Sequence, residues 1–296
     1  MRLAWDDRVF TVFVYLMLTL LGFLTFYPFW NAAVVSFNEG TDTSLGNVTF
    51  WPRVFTLENY QVVLKDMRIL QGFVISIART VAGTFLSIAM TAVFAYGMSR
   101  RELIGRGYYM TFAIITLYFS GGLIPTYLVI RSLGMFDSFL VFIIPGMVSV
   151  WSMIIFRTFF KEIPPGLEDA ARIDGCGYWA TFLRVVIPLS GPVIATLSLF
   201  AAVAHWNDWF IASIYINNKD LLPVQTLLKQ TLDSNIASEM SAADSASTSF
   251  IMRSQTYTTK SLTMATMMVT TLPIILVYPF LQRYFVKGVL VGSLKE

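Results

Sequence analysis

The chain has 296 residues, of which 56% are apolar and only 13% charged, about half the roughly 25% charged share of a soluble domain, and its mean hydropathy is +0.65. That composition excludes an ordinary water-soluble globule, and a net charge of +3 is too small to argue for a nucleic-acid partner. A single cysteine, Cys176, and a single histidine, His205, leave no intramolecular disulfide, no cysteine zinc site and no multi-histidine metal site.

Lipid is therefore the expected solvent. A span needs about 20 mostly apolar residues to cross roughly 30 Å of hydrocarbon. Six stretches meet or approach that requirement: 9–35, 72–98, 108–130, 139–159, 188–216 and 262–285. The first follows Arg2 and Arg8 as a signal peptide would, but it is too long for that and lacks a small-residue cleavage site, so it reads as a retained span. Two stretches carry interruptions, Gly121-Gly122-Leu123-Ile124-Pro125 in the third and Pro273 and Pro279 in the sixth. Such breaks belong where protein or a cavity, and not lipid, covers the freed backbone.

Basic residues near span ends orient a membrane chain. With a cytoplasmic N-terminus, more of the 21 Lys and Arg fall on the inner side than on the outer, most clearly in the short loop holding Arg100 and Arg101. The C-terminal tail, 286–296, is then also cytoplasmic. Two long outer loops are expected, 38–71 and 217–260, the second with a Ser/Ala-rich stretch at 238–249 that reads as a flexible surface segment.

The hydrophilic segment 161–187 is the most informative. Pro164-Pro165 ends one helix and opens a short new one. Glu168 and Asp169 favour the positive end of its dipole, Ala170 and Ala171 keep one face small, and Asp174-Gly175 signals a turn. A second short helix, 178–186, leads to Pro188. A helix, a tight turn and another helix outside the membrane would present a smooth face with carboxylates beside it, suited to docking into a partner. The plainer reading is a loop that only connects two spans.

These residues resemble the EAA loop of ABC importer permeases, in which Glu-Ala-Ala is followed after three residues by Gly and after nine more by Ile-x-Leu-Pro. Here Asp169-Ala170-Ala171, Gly175 and Val185-Val186-Ile187-Pro188 keep the spacing, and Pro192 matches a further proline of the sugar branch. Asp169 departs from the family's Glu by one methylene; its charge remains, and Glu168 stands beside it. Trp206-Asn207-Asp208 and the ending from Leu272-Pro273 through Tyr278-Pro279-Phe280 to Gly288 are similar to carbohydrate permeases of the maltose type, second subunit, in the LplC/YtcP branch. The resemblance covers nearly the whole chain.

The resemblance implies an all-α integral membrane protein of about six transmembrane helices, in a type I ABC importer permease fold with a cytoplasmic coupling helix. It implies one permease domain over 1–296 in a bacterial inner membrane. The partners are a second homologous permease, two cytosolic ATPase subunits that bind ATP and Mg, and an extracytoplasmic sugar-binding protein facing loop 217–260. Glu168, Asp169, Ala170, Ala171, Asp174 and Gly175 would couple to the ATPase. The expected cargo is an oligosaccharide or modified sugar, an acidic fragment such as an alginate oligosaccharide being one candidate.

Candidate pathway residues are Tyr118, Ser120, Arg79, Trp206, Asn207 and Asp208, since a sugar pathway needs hydroxyl-pairing groups and aromatic faces. Each has a structural alternative. Arg79 can simply pair with a buried acid, and His205 with Asp208 can be a packed polar element. Those ionisable groups also raise an alternative function, an ion-coupled secondary transporter, and a non-transporting membrane scaffold is a further one. Cys176 reads as a small packing residue, and Gly288 with Gly292 as a weak helix-dimer spacing beyond the last span. No phosphate-binding loop, zinc-protease, nucleophile-elbow or EF-hand pattern is present. The chain is expected to be no enzyme, to hold no metal or cofactor, and to leave ATP hydrolysis to its partners.

Overall fold

The computed structural model describes residues 5–244 and 257–293, with side chains described over 7–234 and 257–276. The elements are helical: α1 (Trp5–Ser36), α2 (Gly40–Ser44), α3 (Glu58–Lys65), α4 (Met67–Ser99), α5 (Arg106–Tyr118), α6 (Leu123–Ser132), a 3₁₀ turn (Phe139–Phe142), α7 (Val150–Glu162), α8 (Pro165–Ile173), α9 (Tyr178–Leu189), α10 (Gly191–Asn207), α11 (Phe210–Tyr215), α12 (Val224–Asp244) and α13 (Thr259–Ser293). Among the described residues the only extended pairing is one antiparallel bridge between Asn38 and Phe55.

Among the described residues three helical stretches are long and apolar enough to cross a bilayer by themselves: Asp7–Ser36, Met67–Ser99 and Thr259–Leu276. Two more candidates are bent pairs, α5 with α6 at 112° and α9 with α10 at 82°. The expected fourth span, 139–159, is not one helix. A 3₁₀ turn and a loop containing Pro145-Gly146 lead to α7, whose 13 residues at 1.5 Å each reach only about 20 Å. The expected fifth span divides as well, because α10 starts at Gly191 and ends at Asn207, ahead of α11. The break at Gly121-Gly122 falls as expected, with Gly122 at φ +86° between α5 and α6. Pro273 and Pro279 do not interrupt α13.

The chain divides into two compact units. The first comprises 1–69 and 228–272. Here α1 exposes its apolar residues on all sides, from Val9 to Phe29, the signature of a helix covered by lipid. Beyond its buried end the expected outer loop 38–71 is not loose. Asn38 Oδ1 accepts from the backbone of Arg53 (2.8 Å) and Val54 (3.0 Å), while its Nδ2 donates to Asp42 and Thr43, each at 2.9 Å. Fully buried Asn59 donates to the carbonyls of Ser36 and Asn38 and accepts from Ser261 Oγ at 2.9 Å. Asparagine serves at both positions because its amide matches backbone donors and acceptors at once. Within the second expected outer loop, 217–260, residues Val224–Asp244 form a helix; the rest of its Ser/Ala-rich stretch reaches outside the described residues.

The second unit comprises 70–227 and 273–296. One core gathers Ala95, Tyr96, Phe156, Phe160, Phe182 and Leu197 from α4, α7, α9 and α10. Another gathers Ile130, Val141, Phe142, Ala212 and Tyr215. The first core carries the hydrophilic helix pair at its edge. The side chains of the tail residues and of Gly288 to Gly292 lie outside the described residues.

Candidate functional site

Segment 161–187 folds as a helix, a turn and a helix. Pro164 precedes α8 and Pro165 occupies its first turn, where a missing N–H costs nothing. At the other end Gly175 adopts φ +82°, Cys176 N donates to Ala171 O at 2.9 Å and Gly175 N to Arg172 O at 3.0 Å. These two bonds form a Schellman cap, which satisfies the last carbonyls of the helix and needs a left-handed residue at the glycine. Cys176 is half-buried and supplies the amide that closes that cap.

The two carboxylates of α8 have opposite fates. Glu168 is buried and held by Arg100 in a two-pronged ion pair, with Nη1 on Oε2 and Nη2 on Oε1 at 2.6 Å. The Arg100 guanidinium also lies 4.1 Å over the Tyr96 ring. Glu168 therefore anchors α8 to the end of α4 and does not face outward. Asp169 is exposed. Together with Gly166, Ala170 and Ile173, which is 87% exposed, it forms a stripe at helical spacing on the outer face. Tyr178 and Trp179 at the start of α9 are exposed as well.

A second tie joins the pair to the loop after α4. Glu102 takes a hydrogen bond from the Tyr178 hydroxyl at 3.0 Å and pairs with Arg172 at 3.4 Å. The Arg172 and Tyr178 hydrogen bonds hold the Glu102 carboxyl below its usual range. In the sequence Arg100 reads only as an orientation marker, and Glu102 carries no signal of its own. Their partners lie 68 to 76 residues away, and no local spacing reports such a pairing.

Arg79, His205 and Asp208 do come together. Arg79 is 1% exposed. Its Nε donates to His205 O at 2.8 Å and its Nη2 to His205 O, to Asp208 O at 2.5 Å and to Asp208 Oδ2 at 3.3 Å. These carbonyls close α10, so the guanidinium caps the negative end of that helix. Asp208 in turn accepts from the amides of Phe210 (3.0 Å) and Ile211 (3.2 Å) and starts α11. Gly83 leaves room for His205: a Cβ there would stand 2.6 Å from the imidazole Cε1. The trio is thus a joint between α4 and the broken helix α10–α11.

The other pathway candidates are dispersed. Trp206 is buried against Phe73, with ring centroids 6.2 Å apart, and borders an apolar cavity of about 300 Å³. Asn207 is exposed. Tyr118 and Ser120 are exposed at the α5–α6 break, where Ser120 Oγ accepts from Gly122 N at 3.3 Å. Among the described residues neither contacts the Arg79 group. Nor do the described residues contain a cluster of three or more metal-ligating side chains.

A family described as the inner membrane component of binding-protein-dependent transport systems matches residues 3–291. The Bacillus subtilis polygalacturonan/rhamnogalacturonan transport system permease YtcP is 37% identical over 291 residues, covering 98% of this chain and 99% of that one. The LplC protein of the same organism is 38% identical over 288 residues, with coverage of 97% and 95%. A chain in the crystal structure of a bacterial ABC transporter that imports the acidic polysaccharide alginate superposes with a TM-score of 0.87 at 27% identity, covering 96% of this chain and 99% of that one.

Proposed function

This chain belongs to the family of inner membrane components of binding-protein-dependent transport systems, and from that premise we propose that it is one permease subunit of an ATP-driven importer of sugars or oligosaccharides. The observation that carries the proposal is the helix pair α8–α9, anchored inward by Glu168 and Arg100 while Asp169, Ala170 and Ile173 remain exposed. A rigid element with a smooth outward face is what force transfer from a separate subunit requires. In this reading α8 docks on a cytosolic ATPase subunit that binds ATP and Mg, the chain itself holds no cofactor, and both termini are cytoplasmic.

A second homologous permease and an extracytoplasmic binding protein complete the assembly, the latter facing 217–260. The relatives' named cargoes, polygalacturonan or rhamnogalacturonan and alginate, favour an acidic polysaccharide fragment. Because Arg79 and Asp208 are engaged at a helix end, that trio gives no support to ion-coupled transport.

The test is a mild-detergent pull-down of the tagged chain from its native membranes, followed by mass spectrometry. Recovery of an ATPase subunit and a second permease is expected, with the ATPase lost on Ala170→Arg or Ile173→Asp while the second permease is retained. A chain that emerges alone and supports uptake by itself refutes the proposal.

A further inference from the structure

The ends of α4, α7 and α8 surround a cavity of about 660 Å³ with a strongly basic wall. Two of its cations are already neutralised, Arg100 by Glu168 and Arg172 by Glu102. Arg101, Arg106 and Lys161 form no ion pair among the described residues, and Asp169 is the one remaining carboxylate on the wall. Burial holds the Lys161 ammonium below its usual range, and Arg157, Arg106 and Arg101 push it the same way. Three cations gathered against one carboxylate leave a surplus of positive charge that calls for an anion from outside the chain.

Along the same stretch of chain runs an apolar groove of about 500 Å³, lined by Met98, Leu103, Tyr109 and Met153 among others. Met98 lies two residues before Arg100, Leu103 sits between Arg101 and Arg106, and Tyr109 follows Arg106 on α5. An apolar trough and a basic pocket lined by neighbouring residues of the same stretch, 97–109, have the two-part chemistry of a phospholipid. We propose that the pair of cavities binds an anionic phospholipid, with its phosphate among Arg101, Arg106 and Lys161 and an acyl chain in the groove. A zwitterionic headgroup brings no net charge to this cluster, whereas basic pockets between helix ends do recruit anionic headgroups. A free phosphate shares the headgroup chemistry and leaves the groove unused. The inference rests on the chain being a membrane protein and is independent of its cargo.

The test is native mass spectrometry of the full chain, with whatever subunits co-purify, titrated separately with phosphatidylglycerol, phosphatidylcholine and inorganic phosphate. Phosphatidylglycerol should bind at least about tenfold more tightly than phosphatidylcholine, and each neutralised cation should cost about fivefold. The triple variant Arg101→Gln, Arg106→Gln, Lys161→Gln should therefore abolish the preference. Exposed Arg101→Gln alone carries the test if the triple variant misfolds. Ala113→Trp, which fills the groove, should weaken phosphatidylglycerol binding and leave phosphate binding unchanged. Equal binding of the two lipids, or undiminished phosphatidylglycerol binding by the charge variants, overturns the proposal. So does phosphate binding as tight as the lipid's, or a lipid preference that disappears when a purified ATPase subunit is added.

Discussion

Replacing Glu168 with alanine should release α8 from the end of α4 without unfolding the spans. The Glu168 side chain is 8% exposed and that of Arg100 is 18%, so the substitution leaves a guanidinium largely out of water with no partner. Breaking a buried pair from one side costs about 3–5 kcal/mol. Arg100 keeps its place over Tyr96 and some solvent access, which argues for the lower end, about 3 kcal/mol. Confined to the helix pair, that is roughly a 150-fold rise in local opening. Hydrogen exchange read by mass spectrometry in nanodiscs should therefore show amides of 165–187 accelerating by about two orders of magnitude, while those of 123–132 are unchanged. Adding Arg100→Ala should recover a coupling energy of about 2–3 kcal/mol in a double-mutant cycle. Asp169→Ala, one residue away but exposed, should alter stability by less than about 0.5 kcal/mol. Unchanged exchange in Glu168→Ala, or an equal effect from Asp169→Ala, would refute the assignment of Glu168 as the anchor.

Three further outcomes are expected. At Gly175 a side chain would meet nothing within 4 Å, so only the left-handed backbone resists substitution: Asn should be mildest, Ala should cost about 1–2 kcal/mol, and Val more. ATP-driven uptake by reconstituted complexes should fall in that order while membrane insertion is unaltered. Arg79→Met should cost about 3–5 kcal/mol by uncapping α10, and Asp208→Asn should cost less because two carbonyls still hold the guanidinium; thermal unfolding in detergent ranks the two. Asn59→Leu strands the Ser36 and Asn38 carbonyls, each worth about 1–3 kcal/mol when buried unpaired, and should expose Arg53 to trypsin in right-side-out or inverted vesicles, whichever presents that loop.

Much of this protein is determined locally and was legible in its sequence. A lipid-facing helix must satisfy its own backbone, so the apolar runs 9–35 and 72–98 announce α1 and α4 within a few residues. The turn at Gly175, the start at Pro165 and the break at Gly122 are equally local, because each depends on a backbone preference of the residue that sits there. Hydropathy could not show that 139–159 splits into a 3₁₀ turn and a 13-residue helix, since an apolar run reads alike whether it is straight or folded back. Tertiary structure alone decided the rest. Arg79 reaches carbonyls 126 and 129 residues away, and Glu168 was paired with an arginine 68 residues upstream although the sequence placed it on the docking face. A carboxylate's partner is chosen by which helix ends the fold brings within about 3 Å, and no spacing along the chain encodes that distance.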